Sequence, residues 1–277
     1  MNEELLDCLI VGGGAAGLTA AVYMGRYKRR TALLDDGGSR LKLIPRTRNV
    51  PGFPDGIEGP DLLHRLQQQA ARYGVVPVET RVERLQRQDD GSFRAESAQG
   101  AWHARFVLLA TGARDVEPEI EGIREAIRAG QVRYCPICDG YETEGKRVAV
   151  LGRAGHGLRE SLFIANWANE LTWLVMATHH EVDASGLARL RQAGVRIAAS
   201  PPHRIECGVD GAGVRVELQN GQVLAFDTLY PALGLHHACE LATALGARAR
   251  ENGQLEVDSH QQTTVDGLYV AGDVAVD

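Results

Sequence analysis

Apolar runs that stop at glycine recur along the chain and set its predicted order of elements. Asp7–Val11 is a short apolar stretch ending at Gly12-Gly13-Gly14-Ala15-Ala16-Gly17, and Leu18 to Tyr27 follows, rich in alanine and other helix formers. The pattern reads strand, tight turn, helix. Thr31 to Leu34 is a second strand that ends at Asp35 and Asp36, the distance a βαβ unit requires. Between Ser39 and Pro60 the residues Pro45, Pro51, Gly52, Pro54, Gly56 and Gly59 break any regular period, so a long shaped loop is expected. A helix over 61–73 closes at Gly74. Short strands follow over 75–78, 81–86, 92–97 and 101–106, with turns at Asp90-Gly91 and Gln99-Gly100. A separate, fully apolar strand over 106–110 stops at Thr111-Gly112.

After Pro118 the pattern restarts: strand 147–151, glycine turn Gly152 to Gly157, helix 158–169, strand 171–176. This is a weak internal duplication. A helix over 187–192 and strands over 195–199, 214–218 and 228–231 follow, with a turn at Gly208 to Gly213. A last apolar strand, Leu268 to Ala271, ends at Gly272-Asp273 and rejoins the first domain. The expected fold class is α/β, with two Rossmann-like three-layer nucleotide-binding domains and the second inserted in the first. Residues 1–115 and 245–277 would form one domain, and 116–244 the other.

At 277 residues there is room for two cores. The net charge of -6 argues against a nucleic acid partner. Met1 to Val11 carries Glu3, Glu4 and Asp7 where a secretory signal would be basic, and no apolar run is long enough to span a bilayer. A cytoplasmic protein without a membrane partner is the expectation. Five cysteines, not spaced as an extracellular framework, agree with a reducing compartment.

One cysteine pair stands apart: Cys135-Pro136-Ile137-Cys138, followed by Asp139-Gly140 and lodged between the two glycine turns. Two thiols that close can pass an electron pair to another disulfide if a donor is near, and a dinucleotide is the natural donor. Half a zinc site is the alternative. However, there is no second Cys-x-x-Cys, and His179-His180 and His236-His237 lack zinc-site spacing, so no metal is expected. Asp139 could relay a proton or cap a following helix. Cys8, Cys207 and Cys239 read as packing residues, and the single histidines have no partner visible in sequence. In the first turn Gly12, Gly14 and Gly17 supply the tight bend, the close approach to pyrophosphate and the helix–strand packing. Asp35 stands where an acid accepts ribose hydroxyls.

These motifs together resemble the low-molecular-weight thioredoxin reductase family of flavoproteins. The resemblance runs from about Leu6 to Asp273. It rests on Gly12 to Ala21, Asn49-Val50-Pro51-Gly52-Phe53-Pro54, Ala110-Thr111-Gly112, the Cys-Pro-Ile-Cys-Asp-Gly block, and Thr264 to Asp273. It implies FAD held by Gly12, Gly14, Ala15, Ala16, Gly17, Ala110, Thr111, Gly112 and Gly272. It further implies Asp35 near the adenosine ribose, Val82 near the adenine, Asn49 near the flavin and Asp273 on the ribityl chain. Cys138 would be the thiol nearer the flavin, Cys135 the one that attacks an external disulfide, and Asp139 the acid that protonates a leaving thiolate. A thioredoxin-like protein would be the acceptor, and the chain a homodimer.

The second turn departs from the family. Ala154 replaces the glycine that lets backbone touch pyrophosphate, and Met176-Ala177-Thr178 replaces the basic cluster that holds the 2′-phosphate of NADPH. Neither NADP nor NAD finds its usual ribose partner. The expectation is a domain that binds pyridine nucleotide weakly or not at all, with NADPH, a ferredoxin-like protein and a second flavin left as donors. The chain also stops at Asp277, where the family continues with a helical segment over the flavin edge. This suggests a shortened chain or an incomplete site, and weakened FAD retention. The competing reading is a flavoprotein redox sensor that switches without turnover; a peroxide-reducing component would differ only in its acceptor.

Overall fold

A computed structural model describes residues 4–176, 182–208 and 213–276. The chain divides into two units, one of Met1–Lys42, Pro60–Arg114 and Leu235–Asp277, the other of Leu43–Gly59 and Asp115–Gly234. The first contains β1 (Leu6–Val11), α1 (Ala15–Arg26), β2 (Thr31–Asp35), α2 (Gly59–Ala71), β3 (Pro77–Glu79), β4 (Val82–Arg87), β5 (Phe93–Ser97) and β6 (Gly100–Leu109), followed by β7 (Ala113–Asp115). Its sheet runs in the order β3-β2-β1-β6-β5-β4, and the closing strand Leu268–Val270 also pairs with β6. The strands β3, β2, β1 and the closing strand are parallel, while β4 and β5 add an antiparallel ribbon.

Alternation along β1 builds a three-layer sandwich. Leu9 and Val11 pack with Val82, Leu85, Phe93 and Ala95 on one face, and Cys8 and Ile10 pack with Leu18, Ala21 and Val22 of α1 and Leu63 and Ala70 of α2 on the other. Each fully buried Leu or Ile contributes roughly 1.5–3 kcal/mol, so the pattern fixes which face each side chain takes.

The second unit contains α3 (Ile123–Arg128), α4 (Pro136–Asp139), β8 (Arg147–Gly152), α5 (Ala154–Ile164), β9 (Glu170–Val175), α6 (Ala184–Gln192), β10 (Arg196–Ile197), β11 (Pro202–Cys207), β12 (Val214–Leu218), β13 (Val223–Phe226) and β14 (Thr228–Ala232). A parallel sheet β10-β9-β8-β14 carries an antiparallel sheet β11-β12-β13 on one face. Ala149 and Leu151 of β8 meet Ile205, Val214, Val216 and Leu218 there, while Val148 and Val150 meet Ile164 and Leu190 on the helical face.

Several elements differ from expectation. The strands expected over 101–106 and 106–110 are one, β6, because its first half pairs antiparallel with β5 and its second half parallel with β1. The helix expected over 158–169 runs from Ala154 to Ile164, starting at the glycine turn itself. The strand expected over 195–199 shortens to Arg196–Ile197. Strands β11 and β13 and helices α3 and α4 were not anticipated; β11 and β13 are edge strands whose polar residues hide the alternation. The loop over 39–60 holds a 3-10 turn, Arg40–Leu43, and a bridge between Thr47 and Ile57. His179, His180, Ala177 and Thr178 lie outside the described residues, as does most of the expected turn over 208–213.

Candidate redox site and nucleotide turns

In the first unit the expected nucleotide residues gather at the C-terminal ends of parallel strands. Helix α1 starts immediately after the glycine turn with Gly14 as its cap, no side-chain cap and no acidic residue in its first turn. Its free N–H groups and positive dipole end therefore suit an anionic ligand. A Cβ on Gly17 would lie 1.9 Å from the Gly12 carbonyl oxygen, so Gly17 serves internal packing. One on Gly14 would meet nothing closer than Ser39 Oγ at 3.7 Å. Packing does not demand Gly14; a ligand backbone over the turn would, and in this respect the cradle fits a dinucleotide.

Asp35 Oδ1 accepts from the Gly13 N–H at 2.9 Å, and the Asp35 carbonyl accepts from Thr80 N at 2.9 Å, bringing the start of β4 and buried Val82 towards the same edge. Ala110 N donates to the Val11 carbonyl, Thr111 Oγ1 to the Ala238 carbonyl, and Gly112 has a φ of 67°. A Cβ on Gly272 would lie 3.0 Å from Ala16 Cβ, and Asp273 Oδ2 pairs with Arg40 Nη1 at 2.7 Å. The structure thus brings together Gly12, Gly14, Ala16, Gly17, Asp35, Ala110, Gly272 and their neighbours. Asn49 lies in the second unit, its Oδ1 accepting from Thr47 Oγ1 at 2.6 Å.

In that second unit Cys135 and Cys138 form a disulfide, with Cα atoms 5.3 Å apart. Cys135 caps the short helix α4, and Pro136 opens it without an N–H to satisfy. The pair is asymmetric: Cys135 is half-buried and Cys138 only 7% exposed, while Ile137 and Tyr141 project outward. Arg48 N donates to the Cys138 carbonyl at 3.1 Å, and Arg48 Nε pairs with Glu142 at 3.5 Å, so the 43–59 loop is pinned to the redox turn.

Asp139 does not cap the following turn. Its carboxylate is buried, with Arg133 Nη1 2.8 Å from Oδ2 and the Tyr230 hydroxyl donating to Oδ1 at 2.7 Å. Burial, reinforced by the Asp139 charge, pushes the Tyr230 phenol well above its ordinary range, so it stays a donor. Beside it opens a cavity of about 250 Å³ lined by Pro45, the cations Arg46, Arg48, Arg133 and Lys146, and the carboxylates of Asp139 and Glu142. Sequence reading missed Arg133, Tyr230 and Arg48. Tyr230 had a faint signal, as the one hydroxyl in the apolar run Leu229-Tyr230-Pro231-Ala232.

At the second glycine turn Trp173 Nε1 donates to the Gly152 carbonyl at 3.2 Å, and α5 again has no side-chain cap. His156 Nδ1 lies 3.2 Å from Arg159 Nη2; burial and then the Arg159 charge hold the imidazole below its ordinary range. Among the other cysteines, Cys8 is buried, and burial pushes its thiol up to about 11.

A family model described as pyridine nucleotide-disulphide oxidoreductase matches residues 6–277. A thioredoxin reductase of Treponema pallidum (strain Nichols) is 29% identical over 287 residues, covering 98% of this chain and 90% of the relative. A ferredoxin–NADP reductase of Bacillus velezensis is also 29% identical, over 303 residues, covering 99% of this chain and 85% of the relative. The solved thioredoxin reductase from Streptococcus pyogenes MGAS5005 aligns with a TM-score of 0.89 at 23% identity, over 100% of this chain and 92% of that one, a likeness of fold. The fold is accordingly α/β with two Rossmann-like nucleotide-binding units.

Proposed function

The chain belongs to the pyridine nucleotide-disulphide oxidoreductase family and is a thioredoxin reductase-like oxidoreductase; from that premise we propose that it passes two electrons through the Cys135–Cys138 disulfide to a thioredoxin-like protein. The observation that carries this reading is the asymmetry of the pair, with buried Cys138 beside buried Asp139 and Cys135 the more exposed of the two cysteines. FAD held at the first glycine turn would supply the electron pair. Reduction leaves Cys135 able to attack the acceptor's S–S bond; a mixed disulfide forms, Cys138 displaces it, and the acceptor departs as a dithiol. Asp139 handles the proton of a departing thiolate.

The residues proposed for FAD are those of the first turn with Asp35, Val82, Ala110 to Gly112, Gly272 and Asp273, together with Asn49 of the pinned loop. Ala154 in the second turn weakens the case for NADPH, while the ferredoxin–NADP reductase relative supports a ferredoxin-like protein and NADPH alike, so both stand as donors to be tested. A homodimer in the cytoplasm completes the proposal; no helix among the described residues is long and apolar enough to cross a membrane.

The test is anaerobic. Flavin-loaded protein is titrated in parallel with NADPH, NADH and reduced ferredoxin, and turnover of an oxidised thioredoxin is followed with each. One donor bleaches the flavin and drives turnover, and Cys138→Ser abolishes turnover. Wild-type protein that reduces no thioredoxin-like protein with any of the three donors would refute the reading, and a Cys138→Ser variant that retains turnover would remove the disulfide from the path.

A further inference from the structure

Both oxygens of the Asp139 carboxylate are engaged by protein donors, Arg133 at 2.8 Å and Tyr230 at 2.7 Å. Neither donor is loosely held. Tyr230 is fully buried in β14, and Arg133 Nε also donates to the Gly130 carbonyl at 2.9 Å, so its guanidinium is anchored at two points. A buried carboxylate needs partners in any case, and a purely structural role would end there. Two features go further. The clamped carboxylate is the residue next to Cys138, and it faces the polar cavity rather than a closed core, with Arg46, Arg48, Glu142 and Lys146 as the other charged groups around it. Bulk pH can therefore reach a group that is only 5% exposed.

We propose that Arg133 and Tyr230 are positioning residues for thiol–disulfide exchange, holding the Asp139 carboxylate in one setting for the proton it handles. This rests on the proposed role of Asp139 in that exchange. The Cys135 thiolate attacks the acceptor disulfide, one S–S bond forms as another breaks, and the departing thiolate takes the proton that the Asp139 carboxylate relays from the Cys138 thiol. The Cys138 thiolate so formed then closes its sulfur on Cys135. The second acceptor thiolate leaves and is protonated from solvent. Tyr230, kept protonated by burial, stays a hydrogen-bond donor to the carboxylate, and Arg133 keeps its second hold on the Gly130 carbonyl.

The test bypasses the flavin. Full-length protein reduced with dithiothreitol and desalted is mixed with two disulfides between pH 5 and 10. One is bis(2-hydroxyethyl) disulfide, whose leaving thiolate needs a proton; the other is an aromatic disulfide, whose thiolate leaves without one. Asp139→Asn should slow the alkyl reaction about a hundredfold more than the aromatic one. Tyr230→Phe and Arg133→Gln each take a donor from the carboxylate and so loosen its setting. Each should slow the alkyl reaction about tenfold more than the aromatic one across the pH range, with Arg133→Lys recovering most of the wild-type ratio. If Asp139→Asn leaves the alkyl-to-aromatic ratio unchanged, the proton role of Asp139 falls and this proposal with it. If Asp139→Asn lowers the ratio while Tyr230→Phe and Arg133→Gln both keep the wild-type ratio, the positioning proposal alone is overturned. Tyr230→Phe keeps side-chain volume and Arg133 sits at the cavity wall, so thermal melts of the two variants provide independent controls on folding.

Discussion

Gly14 and Gly17 stand three residues apart in one turn, yet they are glycine for different reasons. An added methyl on Gly17 lands 1.9 Å from the Gly12 carbonyl oxygen, whereas on Gly14 it reaches only Ser39 Oγ at 3.7 Å. Gly17→Ala should cost on the order of 1–3 kcal/mol or more, because backbone must move. Gly14→Ala should leave the melting temperature of the apoprotein nearly unchanged and lower FAD affinity about tenfold or more. Thermal melts and flavin retention after gel filtration separate the two. An apoprotein melt that falls as far for Gly14→Ala as for Gly17→Ala would show that both residues serve packing alone.

The elements most legible in sequence were those with one strong reason to exist. Strand β1, helix α1 and the Asp35 strand end follow from an apolar run, a glycine turn and an acid at the right spacing, and all three appear, with α1 starting at Ala15 rather than Leu18 because it begins at the glycine turn itself. The Cys-x-x-Cys turn was equally readable, since two thiols and a following acid point to little else. What could not be read depends on contacts distant in sequence. Strand β6 looked like two strands because its two halves answer to different neighbours, β5 and β1. Likewise Arg133 and Tyr230 meet Asp139 only because β14 runs parallel beside β8 and the chain before α4 bonds back to β14, Arg133 N donating to the Leu229 carbonyl at 2.9 Å. No local period carries that information.

At the scale of the whole molecule, stability should depend on alkaline pH through Cys8, buried between β1 and the helices of the first unit. Burial raises its thiol to about 11, above the ordinary value of 9.0. The stabilisation is fully present below about pH 9 and is lost as pH rises towards 11, because the unfolded chain gives up the proton first. The expected loss is about 2–3 kcal/mol. Urea unfolding at pH 8 and pH 10.5 should show a smaller loss for Cys8→Ala than for wild type; equal losses would place the alkaline sensitivity elsewhere.

The hydrogen bond that ties residues 43–59 to the redox turn has a spectroscopic consequence. The amide proton of Arg48 is held by the carbonyl of Cys138, while its neighbour Thr47 pairs with Ile57 inside the loop, at 2.8 Å and 2.9 Å in the two directions. Arg48 is thus a deuterium-exchange clock wired to the sulfur chemistry, with Thr47 and Ile57 as clocks that are not. Opening the disulfide with dithiothreitol should speed exchange at Arg48 several-fold and leave the other two unchanged. If all three accelerate together, the loop lets go as a whole, and its hold on the redox turn is no stronger than its hold on itself.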